Sequence, residues 1–137
     1  MKRVQFKVLG EPQGKARART VKNAYTGQTM SYTPEQTVLY ENLIKMEYQA
    51  QCGGVFFGKG VPIGIQLECW CKQPKSKKKP VFPCKKPDTD NILKAVADAL
   101  NGVAWYDDAQ IVCANVYKLW ATEQPSITVS IWEVGKL

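Results

Sequence analysis

The longest strictly alternating apolar segment of the chain runs from Val61 to Cys71 and constrains the fold more than any other feature. Side chains of a β-strand point alternately to two faces, so apolar residues at every second position are typical of a strand. The residues that follow, 72–87, include four prolines and seven lysines and predict an exposed loop. This part of the chain therefore contributes a strand to a sheet and then leaves the sheet.

Two other segments have the apolar spacing of helices. The first is predicted from about Pro34 to Gln51, with Thr33 as N-cap, Pro34 as first helical residue and Gln36 as capping-box partner. Its apolar residues at helical spacing are Leu39, Leu43, Met46 and Ala50, and it ends at Gly53 and Gly54. The second is predicted from about Asp90 to Asn101, and Gly102 follows it where a left-handed residue is favoured.

Alternation also predicts strands at Arg3–Leu9, Ile111–Leu119 and Ile127–Val134, whereas the polar, basic stretch 15–31 is expected to be a loop. The element order is then β-α-β-α-β-β. This order predicts an α+β fold in which two main helices pack on a mixed or antiparallel sheet. No repeat or linker divides the sequence, so we expect one domain over residues 1–137.

The composition excludes several kinds of catalytic site. The 137 residues include no histidine and carry a formal charge of +7. A Ser-His-Asp triad, a Cys-His protease site and a histidine general base are therefore excluded. Catalysis must depend on carboxylates, lysine, tyrosine, cysteine or a metal with oxygen ligands. The apolar runs are far shorter than a membrane span and the N-terminal residues lack a signal-like apolar region, so we expect a cytoplasmic protein without a membrane partner.

The five cysteines are an odd number, which favours reduced thiols in a cytosol. No C-x-x-C motif occurs. Cys69 and Cys71 would share one face of the alternating strand, either as buried apolar residues or as two ligands of a zinc site.

Charge is distributed unevenly along the chain. All five aspartates lie between residues 88 and 108, directly after the lysine-rich loop, and Lys15, Arg17, Arg19 and Lys22 form a second basic cluster. A basic surface beside an acidic patch fits a metal-dependent enzyme on a polyanion, because lysines hold phosphates and carboxylates hold the cation. The alternative is a solvated charge run followed by aspartates in turns.

The second helix is predicted to be amphipathic. Asp90, Lys94 and Asp98 lie at steps of four along its polar stripe. Asp88 precedes the helix in extended structure, so an Asp-x-Asp pair stands at the junction and can direct two carboxylates at one point.

Asp107 and Asp108 stand just before the strand that begins near Ile111. If that strand pairs beside the one that leads into the loop, their carboxylates return toward Asp88 and Asp90. Such a cluster is strongly repulsive unless a divalent cation binds within it. Oxygen ligands without cysteine or histidine select Mg²⁺ or Mn²⁺.

Each of these residues also has a structural interpretation. Asp90 is a favoured N-cap residue, and Asp107 and Asp108 are favoured in turns. Lys94 can be an i,i+4 partner of Asp90, and Asp98 a surface charge or a partner of Lys94. Their confinement to one segment behind a lysine run favours a joint role over five separate ones.

Three runs in this segment carry a family resemblance. They are Lys86-Pro87-Asp88-x-Asp90-Asn91-Ile92-x-Lys94, Asp98-Ala99-Leu100-Asn101-Gly102 and Asp107-Asp108-x-Gln110-Ile111. In order and spacing they resemble the RusA family of Holliday-junction endonucleases, which phages, prophages and some bacteria encode. The stretch Gly10-Glu11-Pro12-Gln13-Gly14-Lys15-Ala16-Arg17 resembles the short basic turn after the first strand of that family.

The resemblance implies a small α+β homodimer that binds four-way DNA junctions and cuts two strands symmetrically with Mg²⁺ or Mn²⁺. The matching positions make Asp88, Asp90 and Asp108 the catalytic and metal-binding aspartates, and Lys94 the essential lysine. Asp107 matches a neighbouring acid and is an additional candidate ligand. DNA-contact positions are matched by Lys15, Arg17, Lys85, Lys86 and Asn91, and we expect Arg19 to hold the flanking backbone with them. The lysine-rich loop, residues 72–86, is longer than in the family.

Three other functions remain open. A metal nuclease of another kind would begin with Pro87-Asp88, but its later Asp/Glu-x-Lys is missing because Ala109-Gln110 follows Asp108. A non-catalytic, basic DNA-binding module of phage origin would use the aspartates structurally. A tail or assembly protein with a basic face fits the acidic segment less well.

Overall fold

The computed structural model describes residues 1–16, 19–32, 34–76 and 78–135, which form six strands and two α-helices, and of Arg19 and residues 30–32 it describes only the backbone. The strands are β1 (Arg3–Leu9), β2 (Arg19–Lys22), β3 (Thr29–Tyr32), β4 (Ile63–Cys71), β5 (Ile111–Trp120) and β6 (Ser126–Glu133). The helices are α1 (Glu35–Cys52) and α2 (Thr89–Leu100), and a short 3-10 helix, Asp108–Gln110, leads into β5.

Four strands form a mixed sheet in the order β1-β6-β4-β5. β4 pairs parallel with β5 and antiparallel with β6, and β1 pairs antiparallel with β6. The alternating residues of β4, from Ile63 to Cys71, are buried on the face that carries the core. The predicted α+β class, the mixed sheet and the order of the main elements are confirmed.

Cys69 and Cys71 share the buried face of β4, as the alternation predicted. All five cysteines are free thiols. Burial raises the pKa of the Cys69 thiol to about 12, which keeps it protonated and uncharged. Both cysteines are therefore buried side chains of this face, as the apolar interpretation predicted.

Both helices pack on this sheet through the core. α2 buries Ile92, Val96, Ala99 and Leu100, the apolar side that its sequence predicted. Gly102 follows it with φ 77°, the left-handed conformation for which glycine is favoured. No helix in the described part of the chain is long and apolar enough to cross a membrane.

The apolar face predicted for α1 is not its core face. The buried residues of α1 are Thr37, Tyr40, Ile44 and Tyr48, whereas Leu39 is 60% exposed and Met46 is 63% exposed. The helix has apolar residues on two opposite sides, so spacing alone could not select the buried one. Pro34 is the N-cap residue and α1 begins at Glu35, one residue later than predicted, and Thr33 lies outside the described residues.

The loop predicted over residues 15–31 is also wrong in part. β2 and β3 pair antiparallel in a two-stranded ribbon, with Arg19 opposite Tyr32 and Lys22 opposite Thr29. Asn23 builds the turn, because its side-chain oxygen accepts hydrogen bonds from the amides of Tyr25 and Thr26. Strands this short and polar lack the apolar alternation on which the prediction relied.

Candidate active site

Asp88 and Asp90 stand at the N-terminus of α2. Asp88 is the N-cap residue, with extended backbone and no capping hydrogen bond from its side chain, and Asp90 lies in the first turn. Asp90 is therefore not the N-cap, and capping explains neither carboxylate. The Lys86 ammonium lies 2.7 Å from Oδ2 of Asp88, so this carboxylate is ion-paired within the basic loop.

Asp107 and Asp108 begin the 3-10 helix and have different environments. Oδ1 of Asp107 accepts a hydrogen bond from the amide of Ala109, and the Gln110 side chain accepts one from the amide of Asp107. This capping box confirms a turn role for Asp107. Oδ1 of Asp108 instead accepts a 2.7 Å hydrogen bond from the indole N–H of Trp105, which is fully buried. Trp105 therefore fixes the orientation of the Asp108 carboxylate.

Burial and the surrounding charges together raise the pKa of Asp108. Partial burial raises the pKa of Asp108, and the neighbouring carboxylates of Asp98 and Asp107 raise it further, while the Trp105 hydrogen bond and Lys94 oppose them. The net shift is upward, so the ionised form of Asp108 is less favoured than that of a free aspartate. Asp98 and Lys94 are thus neighbours of Asp108.

Lys15 connects this site to both helices. Its ammonium lies 2.5 Å from a carboxylate oxygen of Glu41 on α1 and 3.2 Å from Oδ2 of Asp98 on α2. Burial alone would lower the pKa of Lys15, but the hydrogen bonds and charges of Glu41 and Asp98 outweigh it and raise the pKa. Lys94 also approaches Asp98, at 3.7 Å. The predicted DNA contact Lys15 is therefore engaged by two acids.

The sequence did not single out Asp98 or Glu41 as part of the site. For Asp98 a signal existed, because it lies four residues after Lys94 on the polar stripe of α2. For Glu41 there was none, because only tertiary packing brings α1 to this place.

β5 does pair beside β4, the condition considered in the sequence analysis, and the direction of this pairing decides which aspartates meet. β5 is parallel to β4, with Ile111 opposite Ile63, so Asp108 lies beside the start of β4 and not beside its end. Asp98, near the end of α2, is the nearby acid there, and Asp90 is about 12 Å farther back along the helix axis. In the described part of the chain, no group of three or more acidic or thiol side chains is positioned to hold a metal ion.

The other residues predicted to contact DNA lie near the start of α2. The Lys85 ammonium lies 5.9 Å from the centre of the Trp120 ring, and Lys86 is exposed. The Asn91 main-chain carbonyl accepts a 2.9 Å hydrogen bond from the amide of Lys15, which ties the basic turn to α2. Arg17 lies outside the described residues, and Arg19 is described only as a backbone position of β2.

Gly14 permits the close approach between this turn and α2. A Cβ atom at Gly14 would lie 3.0 Å from the Cβ atoms of both Pro87 and Asn91. The turn after β1 and the start of α2 are therefore packed as one unit, although residues 14 and 91 are far apart in sequence.

These features describe a basic α+β protein with an acidic site bordered by lysines. The family model "Endodeoxyribonuclease RusA" matches residues 10–132. The uncharacterized protein YqaN of Bacillus subtilis (strain 168) is 30% identical over 144 residues, covering 96% of this chain and 97% of that protein. The crossover junction endodeoxyribonuclease RusA of Escherichia coli (strain K12) is 33% identical over 79 residues, covering 57% of this chain and 58% of that protein. The chain belongs to the RusA family of endodeoxyribonucleases.

Proposed function

We propose that this protein is a Mg²⁺-dependent endonuclease that resolves four-way DNA junctions by paired, symmetric cuts in recombination or repair. The observation that carries the proposal is the family match over residues 10–132. The E. coli relative is named a crossover junction endodeoxyribonuclease, and this name supports a DNA junction as the class of substrate. The basic loop and turn beside the acidic site supply the charge distribution that such a substrate needs.

The donor chemistry of the site fits a hard divalent cation. The available donor atoms are carboxylate oxygens, and the pKa of Asp108 is raised by burial and by the nearby carboxylates of Asp98 and Asp107. Mg²⁺ usually takes one or two protein carboxylates and completes its shell with water and substrate phosphate. We propose that Asp108, Asp88 and Asp90 hold the cation, with Mn²⁺ as a substitute. This requires Asp108 and the start of α2 to approach each other, because the described arrangement places Asp108 nearer to Asp98.

The present arrangement shows what must change for that to occur. Asp88 must leave Lys86, to which it is ion-paired at 2.7 Å. DNA phosphates would compete for the same lysine, because they too are anions. Binding of DNA to the loop would therefore release the Asp88 carboxylate toward the site.

The residues of the chain then have separate roles. A bound divalent cation would supply Lewis-acid activation of water and of the scissile phosphate. Lys94, on the polar stripe of α2, stabilises negative charge that develops on the phosphate. Trp105 keeps Asp108 oriented through its indole N–H. The flanking DNA backbone is held by Lys85, Lys86, Arg17, Arg19 and Asn91. Lys15 positions Asp98 and the basic turn.

Two symmetric cuts require two sites, so we propose a homodimer. The solvent-exposed apolar side of α1, with Leu39 and Met46, supports a second copy as partner because it has no partner within the described chain. The free thiols and the DNA substrate support a cytoplasmic location in a bacterial cell, with a phage or prophage gene as the source.

The proposal is tested with a labelled four-way junction, a linear duplex and a fork, each with Mg²⁺, with Mn²⁺ or with EDTA. We expect paired cuts in the junction only when the cation is present. Junction binding without cutting under all conditions would favour the non-catalytic DNA-binding module. Cutting in EDTA would contradict the role of the cation.

Asparagine variants at four positions identify the cation ligands. Asp88→Asn, Asp90→Asn and Asp108→Asn should each abolish cutting while junction binding persists or strengthens, because carboxylate repulsion of DNA is relieved. Asp98→Asn is the matched comparison on the same helix and should reduce cutting less. Full activity in two of the first three variants would contradict the ligand assignment, and loss only with Asp98→Asn and Asp108→Asn would place the cation between those two residues.

A further inference from the structure

The ribbon formed by β2 and β3 ends in a fully exposed aromatic side chain. Tyr25 is 99% exposed, although exposure of an aromatic ring to water is unfavourable. The turn that carries it is closed by hydrogen bonds from the amides of Tyr25 and Thr26 to the Asn23 side chain, and Gly27 has φ 72°. The ring is therefore held away from the protein by the turn itself.

The segment that contains the ribbon is also basic. Between Glu11 and Glu35 the chain has no acidic residue, and it carries Lys15, Arg17, Arg19 and Lys22. A polyanion is the partner that such a charge pattern favours. Four-residue strands extend about 13 Å, so the tip can reach well beyond a phosphate bound at the base of the ribbon.

The base of the ribbon is attached beside the acidic site. The amide of Ala16 donates a 3.2 Å hydrogen bond to the hydroxyl of Thr37 on α1, and Lys15 bridges to Asp98 on α2. Asp98 in turn neighbours Asp108. DNA that presents a phosphate to Asp108 therefore lies within reach of the ribbon.

We propose that Tyr25 stacks on a nucleobase at the branch point of the DNA and so makes binding selective for junctions over duplex. This inference rests on the proposed function and adds a specificity-determining residue to it. Bases inside a continuous duplex have both faces covered, whereas a base pair that ends an arm at an open branch point has one uncovered face. Aromatic side chains bind such faces with little dependence on sequence.

The test uses the full chain in EDTA, with a four-way junction carrying 2-aminopurine at the branch point and a duplex of matching sequence. Tyr25→Ala should lose roughly tenfold in junction affinity and lose the fluorescence change of the wild-type complex, with duplex affinity unchanged. Tyr25→Phe should keep both, because the ring is retained. Tyr117→Ala, at a half-exposed tyrosine on β5, is the control and should bind as wild type.

Four results would overturn the inference. The first is a junction affinity of Tyr25→Ala within twofold of wild type, and the second is an equal loss of affinity for the duplex in this variant. The third is the absence of a fluorescence change when wild-type protein binds the labelled junction. The fourth is that Tyr25→Ala changes the oligomeric state of the protein and leaves DNA binding unchanged. Cutting by wild-type protein in Mg²⁺ is measured separately. Failure of the proposed function would show as no cutting, whereas failure of this inference alone would leave cutting and junction preference intact in Tyr25→Ala.

Discussion

Asp108 is the residue whose surroundings most clearly differ from those of a surface aspartate. A buried indole donates to one oxygen, and Asp98 and Lys94 lie close enough to influence its titration. Lys94 itself is 63% exposed on its side chain and is 3.7 Å from Asp98. At this exposure the ion pair contributes little to stability, which allows stability and catalysis to be separated experimentally.

Lys94→Ala should cut far more slowly but remain folded. As an exposed i,i+4 partner Lys94 contributes about 0.3–0.5 kcal/mol to stability, whereas a cation facing transition-state charge is worth on the order of 10²-fold or more in rate. Lys94→Arg should not restore the rate, because a planar guanidinium does not replace a compact ammonium. The rate is measured by single-turnover cleavage and the stability by a melting curve. A cleavage rate within a few-fold of wild type would show that Lys94 is only a surface charge.

Asp108→Asn should change how stability depends on pH in EDTA. The pKa of Asp108 in the folded chain is raised above 3.8, so its contribution to stability is full below that pH and is lost as pH rises through the folded pKa. The asparagine side chain in Asp108→Asn does not titrate. As pH rises through the folded pKa of Asp108, wild-type protein should therefore lose stability relative to this variant. The substitution Asp98→Asn should make the pH dependence contributed by Asp108 smaller, because it removes one of the negative charges that raise the pKa of Asp108. Melting curves across pH that run parallel for wild type and Asp108→Asn would contradict the interpretation.

The lysine-rich loop is the element whose role is most open to test. β5 anchors its later part, since Trp120 donates a 2.9 Å hydrogen bond to the carbonyl of Pro80 and Lys118 donates to the carbonyl of Lys85. The lysines at 78 and 79 lie just before these anchors and are exposed, and Lys77 lies outside the described residues. The anchors place a dense positive charge near the start of α2.

Replacing Lys78 and Lys79 with alanine should weaken binding to all DNA and lower its salt dependence. The slope of log K against log[salt] should fall by about 0.9 for each duplex phosphate that the variant no longer neutralises. The control is Lys2→Ala with Lys7→Ala, which removes the same charge from the region of β1, where both residues are exposed. An unchanged slope in the loop variant, or an equal change in the control, would show that the loop lysines are only solvated charges.

At the scale of the whole molecule, the main consequence of the fold is that α1 presents apolar residues to solvent. One side of the helix packs through Tyr40, Ile44 and Tyr48, and the opposite side carries Leu39 and Met46. A stable protein interface buries about 800 Å² on each partner, which exceeds what one helical stripe supplies, so neighbouring surface must contribute. A two-fold axis near α1 would let each copy cover the stripe of the other.

Leu39→Glu combined with Met46→Glu should convert the proposed dimer to a monomer. Both side chains are more than half exposed, so the folded monomer should tolerate the change and melt within a few degrees of wild type. Sedimentation velocity measures the mass, and Val81→Glu, at another exposed apolar residue, serves as control. Wild-type protein that sediments as a monomer would contradict the dimer, and a double variant that remains dimeric would place the interface elsewhere.

Local pattern was sufficient for the main elements and for selecting the candidate residues of the proposed site. Alternation located β1, β4, β5 and β6, most clearly in β4, where buried and less buried residues alternate, and helical spacing placed Asp90, Lys94 and Asp98 on one polar stripe of α2. Confinement of the aspartates behind the lysines indicated a cation and a polyanion, since that chemistry depends only on which residue types occur together. The family resemblance on residues 85–111 is likewise a property of the sequence and agrees with the family match.

Tertiary structure alone decided which of these groups meet. Two apolar sides on α1 made its core face ambiguous until the sheet was present, and the ribbon of β2 and β3 has too little apolar alternation to be recognised. The parallel direction of β5 brought Asp108 to Asp98, and helix packing brought Glu41 and Lys15 to the same place. These groups are distant from one another in the chain, and no local pattern encodes their proximity because it depends on how separate elements pack.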